Sequence, residues 1–309
     1  MTALAAFSIA TSSLANANDL VLKDSLEGPD FTDAGGLYYK ENYEQSAGTF
    51  EFQQDVMRNG KGALKLTIRP ICPTSKDGCS ERAEIWERPE LRVPYDQGVW
   101  YGFAVKFADP IPQDDHRYLI AQWKREIDPG AEGDFSPFLA LRLRKGKLFA
   151  TVETNYVAQG AIEKPSEPCD AGAVPVWLRP DTNQMRALVA TDTAWTPEDG
   201  KLYASCTSAI QVIDHGNKLP APNSGWIDFA VYTKPGPDGS GHIELYANGK
   251  PIVTIKGHIG HADQGLGPNQ YFKFGPYRAA NAGEWTLYYD DFRRSPHCKD
   301  VLVGAPCNF

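Results

Sequence analysis

No apolar run beyond the first residues approaches the length of a membrane span. No long amphipathic helical pattern stands out, and there is neither an internal repeat nor a linker between domains. Cys-x-x-Cys and His-x-x-x-His are both missing, which excludes the usual zinc spacings, so no metal site is expected. A basic excess is missing too: 39 acidic residues outweigh 31 basic ones, for a net charge of −8. General binding to nucleic acid or to a membrane surface draws on a basic surface, so neither partner is expected. A cluster of cations inside a cleft remains compatible with this balance, because net charge does not set local potential.

At 309 residues the chain can bury a substantial core, as one large all-β domain or two ordinary ones. With no linker in view, a single domain over 18–309 is the expectation. Residues 1–17 are small and apolar and end in Ala15-Asn16-Ala17. That ending has the form of a secretory signal with its cleavage site, although the basic start is missing. The six cysteines agree with a secreted or periplasmic location, where an even count suggests disulfides. Cys72 and Cys79 lie close together, as do Cys298 and Cys307, which leaves Cys169 and Cys206. Six cysteines permit about 15 pairings, and the one expected here is Cys72–Cys79, Cys169–Cys206 and Cys298–Cys307.

Strand-like runs recur at 63–69, 82–87, 99–107, 118–124, 138–144, 147–154, 226–232, 242–247, 251–255, 271–274 and 285–292. Turn formers separate them, and Asn248-Gly249 is a strong two-residue hairpin signal. Only 197–202 and 262–266 offer short helical candidates. Many short strands between Gly/Pro turns indicate an all-β sandwich or jelly roll. The stretch 157–223 reads as an irregular insertion tied by Cys169 and Cys206.

Three segments combine an apolar face with a chemically active one. In Tyr271-Phe272-Lys273-Phe274-Gly275-Pro276-Tyr277-Arg278, strand alternation sends Phe272 and Phe274 to a core. Tyr271, Lys273 and Tyr277 face the other way, with Gly275 leaving room between them. In 80–88, Arg82, Glu84, Trp86 and Arg88 share one face; Ala83 and Ile85 share the opposite one, where Glu87 is the exception. In 118–124, Gln122 and Lys124 share a face that Ala121 and Trp123 oppose.

Taken together, these segments resemble the jelly-roll polysaccharide lyases. That group includes alginate lyases with R-x-E, Q-x-H and Y-F-K-x-G-x-Y strands, and the heparin lyase I-like and glucuronan lyase families share the architecture. The matching pieces here are Arg82-Ala83-Glu84, Gln122-Trp123-Lys124 and Tyr271 to Tyr277, in the same order along the chain. Tyr288-Tyr289-Asp290-Asp291-Phe292-Arg293 is similar to the last strand of the heparin lyase I-like group. The likeness runs in segment order over about 61–294 and is concentrated in these short pieces. One residue departs from it: those families commonly carry histidine where this chain has Lys124.

The resemblance implies an all-β, concanavalin-like jelly roll of two curved antiparallel sheets with a long disulfide-tied insertion. It also implies β-elimination on a 1,4-linked uronic acid of an anionic polysaccharide. A base removes the C5 proton, the C4–O bond breaks and a 4,5-unsaturated uronide forms. The neighbouring carboxylate must be neutralised for that proton to leave. Arg82 suits this as a permanently charged fork, and Gln122 adds a neutral amide donor. Tyr277 is placed to protonate the leaving O4 and, once ionised, to take the C5 proton. Lys124 is either the base or a second neutralising charge, and the sequence leaves that choice open. Trp86 would stack on a sugar ring. Arg88, Arg142, Arg144 and Arg278 would meet carboxylates of flanking sugars, and Glu84, Tyr271 and Lys273 complete the substrate-facing set. No cofactor is implied, and the chain is expected to act as a monomer.

Other readings of the same residues stay open. Arg82 with Glu84 is also an ordinary cross-strand ion pair, and Arg142 and Arg144 fit a solvated face. His116 precedes its strand and would reach a cleft only if its loop folded inward. Asp290 and Asp291 leave a structural calcium open, though two carboxylates make a poor oxygen-rich site. A jelly-roll glycoside hydrolase would need two carboxylates facing one sugar, but Glu84 and Glu87 fall on opposite sides of a regular strand. A non-catalytic carbohydrate-binding or lectin-like domain could use the same arginines and Trp86 without Tyr277.

Overall fold

The computed structural model describes residues 20–73, 78–131, 136–155, 169–179, 184–262, 265–302 and 304–307. The signal-like stretch 1–17 lies outside the described residues. Strands run in chain order from β1 (Leu22–Asp24) through β2 (Leu37–Tyr39), β3 (Gly48–Gln53), β4 (Ala63–Ile68) and β5 (Ser80–Arg82). Next come β6 (Ile85–Glu87), β7 (Val93–Pro94), β8 (Val99–Phe107), β9 (Tyr118–Ile127) and β10 (Leu139–Arg144). Then follow β11 (Lys147–Thr154), β12 (Val174–Leu178), β13 (Met185–Thr191), β14 (Ser205–Thr207) and β15 (Ile210–Asp214). The last are β16 (Ile227–Lys234), β17 (Gly236–Ala247), β18 (Lys250–Ile259), β19 (Leu266–Ala279) and β20 (Trp285–Ser295). The helical candidate at 197–202 is a short 3-10 turn, Pro197–Gly200, capped by Thr196. The candidate at 262–266 ends in Leu266, where β19 begins.

These strands form the two antiparallel sheets of a jelly roll. One has the order β15-β18-β17-β16-β8-β20-β4-β3, with β1 also on β20. The other runs β14-β12-β13-β11-β10-β9-β19-β6-β2, with β5 and β7 also on β19. The tight hairpins fall where the turn chemistry puts them. Asn248 and Gly249 both have positive φ, 50° and 72°, the geometry that a two-residue turn between twisted strands requires.

The insertion is more regular than its composition suggests. Its described residues carry β12, β13, β14 and β15, and three of these extend the β19 sheet. Residues 156–168 and 180–183 lie outside the described residues. The three disulfides are Cys72–Cys79, Cys169–Cys206 and Cys298–Cys307. Cys169–Cys206 ties the insertion to itself across β12 and β14.

Aromatic residues fill the space between the sheets. Phe272 and Phe274 of β19 meet Phe103 of β8 and Tyr289 of β20, with Phe274 and Tyr289 centroids 4.8 Å apart. Each such ring, once buried, contributes about 1.5–3 kcal/mol from apolar transfer. A polar tie crosses the same core. Glu87 of β6 accepts from Arg294 Nη1 of β20 at 2.8 Å and from the Tyr101 hydroxyl of β8 at 3.2 Å. This explains the misplaced acid of the 80–88 pattern: Glu87 does face the core, and it is paired there.

Asp290 and Asp291 face donors of the protein itself. Asp291 lies 2.5 Å from Arg58 Nη1, and the Arg58 and Asn59 amides donate to Asp290. No group of three or more His, Cys, Asp or Glu side chains suited to a metal occurs among the described residues. Burial, aided by the charge of Asp291, raises the Asp290 carboxyl to about 6. Its protonated form is favoured in the fold. Its stabilising contribution is therefore complete below the unfolded value of about 4 and is lost as pH rises through the folded one. Asp290→Asn should flatten the melting temperature against pH across this window. A variant that keeps the wild-type slope there would show that another group controls it.

Candidate active site

The cleft lies on the outer face of the β19 sheet and holds about 320 Å³. Its position follows from alternation: the residues between Phe272, Phe274, Ala121 and Trp123 must face out of the sandwich. Gln122 and Lys273 are direct partners across β9 and β19, and so are Lys124 and Tyr271. On the other side of β19, Arg82 pairs with Tyr277 and Trp86 with Lys273. Arg82, Gln122, Lys124 and Tyr277 all line this one cleft, together with Lys273, Arg142 and Arg144.

An irregularity sharpens the arrangement. Phe274 stands opposite Ala121 but Tyr277 stands opposite Leu119, so three steps of β19 meet two of β9. Such a bulge re-aims the side chains around it. Leu119 joins the cleft wall here, although strict alternation from Gln122 assigns it to the core. Gly275 is required at this point for a different reason than free room. Its φ is 130°, and a Cβ would lie 2.1 Å from the Ala83 carbonyl oxygen. The space beside Gly275 is thus filled by the backbone joining β5 to β6.

Glu84 sits in that joining segment, fully buried beneath the cleft floor. Lys273 Nζ donates to its Oε2 at 2.9 Å, Gln122 Nε2 donates to its Oε1, and Arg82 Nη1 lies 3.4 Å from Oε2. Burial alone would raise this carboxyl. The charges of Lys273 and Arg82 and the hydrogen bonds from Lys273 and Gln122 outweigh burial and hold it below the usual range. Lys273 is lowered, first by its own burial and then by Arg82 and Lys124, against the pull of Glu84. Arg82 also meets Glu44, at 2.9 Å from Nε, and its guanidinium covers the Tyr277 ring at 4.2 Å. Arg117 approaches the same ring at 5.1 Å. The cations flanking the phenol are therefore these two arginines.

Some residues expected to face substrate do not line the cleft. Arg278 is buried and donates Nε to Glu81 Oε2 at 2.7 Å and Nη2 to the carbonyls of Asn281 and Gly283. It follows Tyr277 directly, so alternation turns it inward. Arg88 pairs with exposed Asp33 at 3.2 Å, because β6 ends at Glu87 and a 3-10 turn, Pro89–Leu91, follows. Trp86 is buried, with Tyr271 stacked on it at 5.4 Å and the ammonium groups of Lys40 and Lys273 against its ring. It offers no open platform for a sugar. Tyr271 is likewise buried, and burial pushes its phenol well up. Arg144 does line the cleft, already paired with Asp115.

The structure adds residues that the sequence pattern had not singled out. Arg117, Arg179, Arg186, Trp177 and Tyr203 complete the wall, most of them from the insertion. His116 lines it as well, with Nε2 at 2.9 Å from the Ala280 carbonyl. For Trp177 and Arg186 the signal was the alternation of β12 and β13, which is short and interrupted in sequence; Arg117, Arg179 and Tyr203 lie outside strands and had none. Among the described residues, eight of those lining it are Lys or Arg, against a single lining acid, Asp115. On a chain of net charge −8 such a concentration selects for an anionic ligand.

The fold and site together are a two-sheet β jelly roll with a cation-lined cleft across one sheet. Residues 31–293 match the family described as polysaccharide lyase, and the chain belongs to that family. It is an enzyme, a polysaccharide lyase, and its substrate is a polysaccharide. Among solved structures, it shares its fold with an endo-β-1,4-glucuronan lyase from the fungus Trichoderma reesei. That likeness has a TM-score of 0.59 and 16% identity, over 94% of this chain and 100% of that one. The cellulose-induced protein Cip1 matches with a TM-score of 0.48 and 13% identity, over 89% of this chain and 97% of that one. Alginate lyase Aly36B matches at 0.42 and 11%, over 90% and 97%. These last two are too distant to carry an argument. No curated protein matches the sequence.

Breaking the buried pair should be costly. Glu84→Ala leaves the Lys273 ammonium buried without its carboxylate, a loss of roughly 3–5 kcal/mol. Urea unfolding measures it, and a loss below about 1 kcal/mol would mean that water or a neighbour replaces the carboxylate.

Proposed function

We propose that this lyase cleaves a 1,4-linked polyuronide by β-elimination. Arg82, Gln122 and Lys124 neutralise the carboxylate of the reacting sugar, and Tyr277 moves the proton. The observation that carries this reading is the meeting of a guanidinium, an amide, an ammonium and a phenol from three strands on one cleft. Glu84 accepts from one end of the Gln122 amide, so that end is the NH2 and its remaining N–H is available for a carboxylate. The guanidinium groups of Arg82 and Arg117 flank the ring of Tyr277, from which the reaction requires a phenolate. That phenolate takes the C5 proton and returns it to the O4 that leaves, so the electrons of the C5–H bond become the C4=C5 bond. Lys124, beside Lys273, supplies charge.

The likeness to a glucuronan lyase supports glucuronan as the first polymer to assay. Three disulfides support an exported protein, secreted or periplasmic. No helix among the described residues is long and apolar enough to cross a membrane.

The test is a panel of uronate polymers read by the ultraviolet absorbance of a conjugated unsaturated uronide. Product should accumulate with at least one, and new reducing ends without that absorbance would mean hydrolysis instead. Tyr277→Phe should lower kcat by roughly 10²–10⁴ while leaving polymer binding nearly intact. Normal turnover in that variant would remove the phenol from the mechanism.

A further inference from the structure

On the insertion side of the cleft stands a guanidinium, that of Arg142, with no counter-ion among the described residues. Arg142 is 4% exposed and lines the cleft. Its Nε donates to the Thr151 hydroxyl at 2.8 Å, and no carboxylate lies within ion-pair distance of it among the described residues. The nearest acid, Glu153, is already taken: Arg186 Nε reaches it at 2.7 Å and Arg179 Nη1 at 3.2 Å. Among the described residues, Glu153 thus holds Arg186 and Arg179, and Arg142 lies outside its ion-pair reach. Burial, then the neighbouring charge of Arg186, lowers Arg142 to about 9. An arginine retained for stability would be paired, since an uncompensated buried charge is destabilising.

Building on the lyase reading, we propose that Arg142 and Arg186 form a second anion subsite, which takes another carboxylate of the same polymer chain. The register supports a second sugar. Tyr277 pairs with Leu119 and Leu119 with Arg142, so Arg142 lies two strands from the phenol. That is a backbone separation of roughly 9.5 Å across the sheet. That offset suits a carboxylate on a neighbouring sugar of the same chain. Trp177, with Arg186 over its ring at 5.2 Å, forms the adjoining wall. The enzyme would accordingly need two acidic sugars close together, and would bind weakly to polymers whose neighbouring carboxyl groups are esterified or reduced.

The experiment measures melting temperature without ligand and equilibrium binding of a β-1,4-linked glucuronate oligomer. Binding is read in the Tyr277→Phe protein, so that nothing turns over. Added to that background, Arg142→Met should weaken Kd roughly tenfold to a hundredfold, the worth of one charged hydrogen-bonded contact. In the otherwise wild-type enzyme it should raise KM with kcat little changed. Its melting temperature should hold or rise, because a crowded charge is removed. Arg142→Lys, which keeps the charge, should recover part of the affinity. A lower melting temperature, or an unchanged Kd in the folded variant, overturns the subsite. Failure of the lyase reading would register separately, as binding without unsaturated product.

Discussion

Glu84 holds together donors from three strands, and the geometry of the cleft rests on that carboxylate. Lys273, Gln122 and Arg82 all point at it. Two of these are cations, Lys273 buried and Arg82 mostly so at the edge of the cleft. Without an acid between them they would repel each other and the nearby Lys124. A carboxylate only accepts hydrogen bonds, so it also decides which end of the Gln122 amide meets it. A single buried ionisation therefore sets the charge of the cleft floor and the direction of its neutral donor.

The rest of the fold holds this acid where it is. Gly275 lets the segment carrying Glu84 approach β19 more closely than any side chain would permit. Beneath it, Phe272 and Phe274 anchor the same strand to the opposite sheet, and Glu87 ties β6 to Arg294 and Tyr101 across the core. The cleft thus stands on a firmly packed base, and among the described residues its lining has more cations than acids. A groove of local positive charge is thereby built into a chain of net charge −8.

Much of this was legible in the residues. The alternation around Phe272 and Phe274 separates core from cleft, and the pairing expected of the cysteines, one of many that their number permits, is the one found. Other positions misled for identifiable reasons. Arg88 follows a strand that has already ended, and Arg278 takes the inward step after Tyr277. Leu119 changes face at a bulge that no pattern announces. Trp86 looked like a platform for sugars and is instead closed over by Tyr271 and two lysines.

Alternation, turn chemistry and short motifs are local, so the sequence by itself determined the all-β class, the outward face of each central strand and the three segments that carry the lyase resemblance. Ion pairing is not local. Glu84 meets Lys273 from 189 positions away, and Arg186 reaches Glu153 from 33. Only the tertiary structure could decide which cations are neutralised within the protein and which are left for a ligand, because that depends on the acids brought beside them by strands distant in the chain.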